Sequence, residues 1–597
     1  MVNGSVSIVK LHSLIVPLVL LLLASGCTFQ LEEMAGESAA GAPDSAGRAE
    51  TATPSDQVEE TGSAADAASA QTDSGTVAVS VQAAALRPAT ACSDGFVAHD
   101  LPHRTASTVE RIGFFISNGS GLAVNDLDND GDLDLILGNI FGPNRIFWNE
   151  GDWQFSAEVL FEDSTRAITT VDIDGDGWLD LFITARNGRI LHWRNTGSGR
   201  FEQVNLPELR ASAYSLDLAD LDQDGDLDLV TASYDASLQK QNLLYRTGAV
   251  ESRTDRAGVW LYSNDGGAFA GAWLADEAQA LALQLTDVNG DGRTDIVVGN
   301  DFDTRDYIWL AGDGGWQAAE PFATTTMSTM SFDSGDINNN GRWEIFAADM
   351  LPYSDSPEIM DQWQPVMDNM PHHEVEGDPQ HMANVLQVPG SDGDYVNTAG
   401  SSGIEATGWT WSSKFGDLDQ DGFLDLYVVN GMQALDIFSH LPNDELVEEN
   451  QVYRNDGQGN FVAQPGWGLN STHGGRSMSM ADLDGDGDLD IVVNNLAAPA
   501  QIFENQLCQG NALLVDLAWP GSLNTKAVGA TLTLRTSTGE YRRRNRVTSG
   551  YLSGDPSRIH FGLPAESRIE ALEIRWPDGA VSTVEQVEAN SLVLIER

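Results

Sequence analysis

The chain has 597 residues, of which 89 are acidic and 32 basic, for a formal net charge of −57. That length exceeds a usual single core and implies several domains or one large repeat array, and 41% hydrophobic residues is a globular composition. So acidic a chain excludes nucleic acid as partner, because phosphate binding runs on Lys and Arg, and it favours cations instead.

The first element is a targeting segment. LIVPLVLLLLASG, Leu14 to Gly26, is too short to span a bilayer comfortably, which needs about 20 apolar residues, and fits the apolar region of a signal peptide. It runs into LASGC, Leu23 to Cys27, which resembles the bacterial lipobox, where the cysteine is lipidated and becomes the first mature residue. Ala24 replaces the commoner leucine, and Lys10 is the one firm positive charge ahead of it. An ordinary cleaved signal with an incidental cysteine is the alternative. Thr28 after the cysteine, rather than Asp, resembles the outer-membrane sorting pattern and implies an exported protein held to the membrane by its lipid alone, facing the periplasm or the surface. The expected divisions are a signal peptide at 1–26, a linker at 27–92, a repeat domain at 93–508 and a tail domain at 509–597. The linker is rich in Ala, Ser, Gly and acidic residues. It buries too little apolar surface to offset its ordering entropy, so a disordered tether is expected.

From Asp126 an acidic motif recurs: DLDNDGDLD, DIDGDGWLD, DLDQDGDLD, DVNGDGRTD, DINNNGRWE, DLDQDGFLD and DLDGDGDLD. The shared form is D-x-[DN]-x-[DN]-G-x-x-[DE]. Successive copies lie 46 residues apart at closest (126 to 172) and 81 at most (336 to 417), a period that suggests a propeller or solenoid. Oxygens at positions 1, 3, 5 and 9, with a carbonyl from position 7, can wrap one cation. The candidate ligands are Asp126, Asp128, Asp130 and Asp134; Asp172, Asp174, Asp176 and Asp180; Asp220, Asp222, Asp224 and Asp228; Asp287, Asn289, Asp291 and Asp295; Asp336, Asn338, Asn340 and Glu344; Asp417, Asp419, Asp421 and Asp425; and Asp482, Asp484, Asp486 and Asp490. Position 6 is glycine in all seven copies, Gly131 to Gly487, as a tight loop with positive φ requires. Hard oxygen ligands without Cys or His exclude zinc and point to Ca2+, up to seven ions, over magnesium, which keeps its waters. An EF-hand would need Glu at position 12, where the first copies have Leu137, Ile183 and Thr231. The fifth copy carries the fewest charges and should bind most weakly.

Behind each loop stands a β-branched, alternating run such as LDLILGN or LDIVVNN, which reads as a strand. Then a strand, Gly-rich turn and strand follow, as in NRIFWNEGDWQF and ILHWRNTGSGRF. The last copy is cut to QIFENQ, Gln501 to Gln506. Four strands per unit and seven units describe an all-β fold, a seven-bladed β-propeller followed by a small β-sandwich-like domain. The pattern resembles the FG-GAP/VCBS repeats, the calcium-loop propellers related to the integrin α-subunit head, from about Gly95 to Gln506. The resemblance implies that each loop joins the first two strands of a blade and holds calcium in a structural role.

Past Gln509 the acidic motif stops. NTKAVGA, SGYLSGDPSRIHFGL and IRWPDG, between Asn524 and Gly579, resemble the ASPIC/UnbV domain, which follows such propellers in bacterial proteins and in relatives of cartilage acidic protein. It brings no established chemistry. RRRNR, Arg542 to Arg546, reads first as a solvated strand face; docking onto the acidic propeller, or an anionic partner, is the other reading. Cys92 and Cys508 flank the propeller, whose closed ends would let them form a disulfide in an oxidising compartment; two free thiols are the alternative.

If the acidic loops share one face, three long connections emerge on the other: Tyr234 to Gly258, Leu351 to Ala383 and Gly431 to Glu449. Long loops on one face of a scaffold are where binding usually sits. The expected function is a calcium-binding, lipid-anchored cell-envelope scaffold for a protein or glycan partner. The alternative is a hydrolase or lyase on the same loops, since fold does not choose between them. The middle connection holds Trp363, His372, His373 and His381, but packing over the central channel is its first reading, and no catalytic residue is assigned.

Overall fold

A computed structural model describes residues 76–597 apart from 107, 198, 237–255, 303, 369–377 and 391–393. The signal segment, Cys27, the linker up to residue 75, His372 and His373 lie outside the described residues. No helix among the described residues is long and apolar enough to cross a membrane.

Each acidic loop closes the first hairpin of a separate antiparallel sheet. In the first sheet the strands are Leu122–Asn125, Asp134–Leu137, Asn144–Asn149 and Phe155–Phe161, hydrogen-bonded in that order. The inner two strands of this sheet are buried throughout and its outermost strand is largely exposed. That gradient explains why the second strands read as near-continuous apolar runs: both their faces pack against neighbouring sheets. Among the described residues seven such sheets follow one another. Their innermost strands, Leu122–Asn125, Thr165–Val171, Ser215–Ala219, Ala280–Thr286, Ser331–Gly335, Gly408–Gly416 and Gly475–Ala481, touch in sequence order, and the last touches the first. The fold is a closed β-propeller.

The truncated last repeat is completed from the other end of the domain. Phe96–Arg104 pairs antiparallel with Pro499–Asn505, Phe96 opposite Asn505 and Asp100 opposite Gln501. Closing the ring in this way removes an open sheet edge. The same pairing brings Cys92 and Cys508 together as a disulfide with Cα atoms 5.8 Å apart.

The tail folds as two four-stranded sheets around Leu513, Leu532, Phe561, Leu572 and Trp576. One sheet runs Ser80–Ala85, Ser591–Glu596, Asn511–Ala518, Ile559–Leu563; the other runs Glu540–Arg544, Thr531–Thr536, Ile569–Arg575, Val581–Val584. The expectation of a disordered linker through residue 92 is therefore corrected at its end. Ser80–Ala85 pairs with Ser591–Glu596 over six residues, and Leu86 N–H donates to the Asn590 carbonyl (3.0 Å). Its side chains are all exposed, so backbone bonding is its main tie.

The tail domain sits on the acidic-loop face and sends Thr548 to Asp555 into the ring. Ser553 and Gly554 pair parallel with Leu122 and Ala123, and Gly550 bridges to Phe332. Tyr551 is fully buried with Tyr214, Tyr234, Trp363, Trp409 and Trp411. The channel is thus filled from the loop face by the tail and roofed on the opposite face by the described parts of two long connections, around Trp363 and Phe438, while residues 237–255 of the third connection lie outside the described residues. There the helix Pro357–Met367 buries Trp363, whose Nε1–H donates to Glu448 (3.0 Å).

The reading of RRRNR as a solvated face is also corrected. Arg542 donates to the Gly341 carbonyl (2.8 Å), and Arg544 donates to Thr286 and Thr294 (3.2 and 2.8 Å). Arg546 pairs with Asp333 (2.5 Å) and Asp555 (2.9 Å), and Asp555 also holds the buried Lys414. Arg542 and Arg544 thus bond to propeller carbonyl and hydroxyl oxygens, and Arg546 neutralises Asp333, whose burial would be costly without it.

Candidate metal centres

The seven loops share one hydrogen-bond pattern. The first carboxylate accepts the position-6 glycine N–H, from 2.8 Å (Gly177 to Asp172) to 3.2 Å (Gly225 to Asp220). Position 5 accepts from the position-7 N–H, as Asp132 to Asp130 at 3.0 Å and Arg342 to Asn340 at 2.9 Å. Position 6 has positive φ in every copy, from 83° at Gly341 to 100° at Gly131. Position 4 is left-handed in every copy too, at Asn129, Gly175, Gln223, Gly290, Asn339, Gln420 and Gly485. Two left-handed residues curl each loop so that its side-chain oxygens turn inward.

Five loops gather three carboxylates whose oxygens lie within 4.8 Å of one another: Asp126, Asp128 and Asp134; Asp172, Asp174 and Asp176; Asp220, Asp222 and Asp228; Asp417, Asp419 and Asp425; Asp482, Asp484 and Asp490. These groups could hold metal ions. The loops at Asp287 and Asp336 do not form such a trio among the described residues, and asparagine stands at position 3 in both, as Asn289 and Asn338. Of the other expected ligands, Asp130, Asp180, Asp224, Asp421 and Asp486 sit in the five loops but outside these trios, while Asp291, Asp295, Asn340 and Glu344 belong to the remaining two.

The donor set fits a hard cation. Asp220 Oδ1, Asp419 Oδ1 and Asn338 Oδ1 are buried without a hydrogen-bond partner, a condition that costs about 1–3 kcal/mol each unless something binds them. Burial, with neighbouring carboxylates adding, pushes Asp126 and Asp220 up to about 6 and Asp482 up to about 7. Burial likewise raises Asp134, Asp228 and Glu344 to about 7. A divalent ion would supply the missing counter-charge. In two loops arginine supplies part of it: Arg194 pairs with Asp174 (2.7 Å) and Asp176 (2.8 Å), and Arg454 pairs with Asp419 and with Asp421 (2.5 Å).

The position-9 carboxylate has a second task. Asp490 accepts Leu483 N–H and Asn505 N–H (both 2.9 Å), and Asp425 accepts Leu418 N–H (3.1 Å) and Asn455 N–H (2.8 Å). Those asparagines end the third strand and were not singled out from sequence. Asn149, Asn195, Asn455 and Asn505 each donate to the carbonyl of position 2 in the preceding loop: Leu483, Leu127, Ile337 and Leu418, at 2.7–2.9 Å. The recurrence of Asn in IFWN, HWRN, VYRN and IFEN is the signal that marks them.

The tail domain contacts these loops directly. Thr525 Oγ1–H donates to Asp172, Asn524 N–H to the Gly225 carbonyl (3.1 Å), Arg558 to the Gly131 carbonyl (3.2 Å), and His560 Nε2 meets the Gly487 carbonyl (3.0 Å). On the opposite face, Gln380–His381 forms a two-residue parallel pairing with Thr325–Thr326, and His381 is exposed.

The FG-GAP-like repeat description matches residues 126–183, 172–231, 287–347 and 429–493, and the ASPIC and UnbV description matches 521–597. The chain is 23% identical over 519 residues to cartilage acidic protein 1 of Xenopus tropicalis, covering 79% of this chain and 73% of that protein. Among solved structures, YCF48 bound to D1 peptide shares 8% identity at TM-score 0.38, covering 70% of this chain and 97% of that one. BBS1N in complex with ARL6DN shares 11% identity at TM-score 0.36, covering 68% and 98%.

Proposed function

For a chain that carries FG-GAP-like repeats and ends in an ASPIC and UnbV domain, we propose a calcium-binding cell-envelope scaffold, anchored by lipid at Cys27, that binds a protein or glycan through the propeller face opposite the calcium loops. One observation carries the choice of face. The tail domain covers the loops and fills the channel with Tyr551, so both are occupied from within the chain. The face of the long connections is left for a partner. The carboxylate trios support calcium as the ion, and LASGC supports export and lipidation.

Calcium here is structural. It supplies positive charge among the carboxylates of each loop, while the glycines and asparagines fix the loop around it. Calcium sites of extracellular modules bind at about 10⁻⁴ to 10⁻³ M. At about 1 mM calcium and a Kd of about 10⁻⁴ M, each filled site stabilises the fold by about 1.4 kcal/mol. Purified protein should therefore melt higher in millimolar calcium than in EDTA and carry bound calcium by elemental analysis. Equal melting with no bound metal refutes the calcium reading. Affinity capture from the native envelope, with and without chelator, tests the scaffold reading, and Cys27→Ser should release the protein from the membrane fraction.

A further inference from the structure

The opposite face contains a cleft of about 470 Å³ between the second and third sheets. Its walls are the Asn187–Gly188 turn and the connector 205–212, both at the strand ends away from the acidic loops. The backbone there is firmly tied. Ala213 N–H donates to the Gly188 carbonyl (2.9 Å), Ser212 N–H to the Arg256 carbonyl (2.8 Å), and Ala211 N–H to the Tyr262 hydroxyl (2.8 Å).

Three guanidinium groups line this cleft: Arg189, Arg210 and Arg256, all exposed. Arg189 shares one N–H with Asp163 (2.8 Å). Arg210 and Arg256 form no ion pair among the described residues, and Glu208 on the same connector does not line the cleft. In a chain with 89 acidic residues against 32 basic ones, Arg454, Arg546, Arg558 and Arg597 all pair with carboxylates. With one carboxylate partner among them within the described residues, three arginines lining one cleft make a local anion site, since each guanidinium fork matches a carboxylate.

We propose that this cleft binds an oligosaccharide bearing uronic acid carboxylates, an assignment that rests on the scaffold reading and names its partner chemistry. The volume falls in the range of small-ligand sites, about 300–1,000 Å³. Beside the arginines, the amides of Gln203 and Asn205 each offer both a donor and an acceptor. Sugar hydroxyls use both, and each hydroxyl of a ring can give and accept at once; an acidic peptide does so only along its backbone, since its carboxylates use donors alone. Leu206 and Leu209 add apolar surface for the C–H face of a sugar ring.

Titration calorimetry of trigalacturonate into the calcium-loaded chain tests this, with maltotriose and triglutamate as comparators. Saturable binding of trigalacturonate, absent for maltotriose and weakened about tenfold or more in R210A/R256A, is the expected result, with an unchanged melting temperature because both side chains are exposed. Equal binding by wild type and variant overturns the site. Triglutamate binding as tightly as trigalacturonate overturns the saccharide and assigns an acidic peptide. No binding to wild type, while envelope capture still recovers a partner, overturns the cleft and leaves the scaffold standing; failure of capture as well removes the scaffold.

Discussion

Tyr551 of the tail domain meets Tyr214 of the propeller hydroxyl to hydroxyl, at 2.5 Å, inside the ring. Asn118 completes a cycle with them. Its Nδ2–H donates to the Tyr214 hydroxyl (2.9 Å), and its carbonyl accepts from the Tyr551 hydroxyl (2.9 Å). With Tyr551 donating to Asn118, Tyr214 must donate to Tyr551, so each hydroxyl gives one proton and receives one. Three distant parts of the chain close on one another in a buried interior, and that closure fastens the tail domain in the channel.

Removing only the Tyr551 hydroxyl leaves a buried carbonyl and a buried donor unpaired. Tyr551→Phe should cost about 1–3 kcal/mol, and Tyr551→Ala, which also opens a cavity, about 3–5 kcal/mol. Urea denaturation reads both. A midpoint unmoved in the alanine variant would show that the plug does not hold the domains together.

The asparagine ties make a second prediction. Asn455 Nδ2 donates to the carbonyls of Ile337 (2.7 Å) and Leu424 (3.0 Å), one in the neighbouring sheet and one in its own. Asn455→Ala should lose about 2–4 kcal/mol, because two buried acceptors go unpaired. Asn455→Asp should be worse, since it turns an acceptor toward two acceptors. A variant series in which Asp is tolerated better than Ala would contradict this geometry.

The acidic loops were legible because ligands, glycine and following strand are contiguous. Their left-handed fourth position was less so: Asn and Gly advertise it, but Gln223 and Gln420 do not. The strand Ser80–Ala85, SVQAAA, buries no side chain, so neither periodicity nor composition marks it; it exists through pairing with a strand about 500 residues away. The same distance hid the role of the arginine run. Arg546 and Asp333 are far apart in the chain, and nothing local to either residue says that they meet. The plug was visible as a family pattern, SGYLSGD, without a role, because Tyr551 takes its meaning from Asn118 and Tyr214.

Arg454 provides a test of the charge argument within one loop. Its guanidinium pairs with Asp419 and Asp421, offsetting part of the repulsion among Asp417, Asp419, Asp421 and Asp425. Arg454→Met should lower the melting temperature in EDTA, and added calcium should recover more of it than in the wild type, because the ion then replaces the lost charge. An equal calcium-induced rise in both proteins would show that the arginine carries none of the load.

His103, on the strand that completes the last sheet, sets a pH dependence. It is buried, its Nε2 meets the Gly138 carbonyl (2.9 Å), and its Nδ1 has no partner. Burial lowers it from 6.5 to about 4, with Arg145 adding to the effect and the Gly138 bond opposing it. Because the folded value lies below the unfolded one, the unfolded chain takes up the proton first. Stability present above pH 6.5 is therefore lost as pH falls toward 4, by about 3 kcal/mol in full. His103→Gln keeps a donor for Gly138 and removes the titration. Buried carboxylates with raised values act in the opposite direction in both proteins, so the difference between wild type and variant isolates the histidine. That difference should grow in the variant's favour between pH 7 and pH 5, read by denaturant midpoint. A constant difference across that range would place the proton elsewhere.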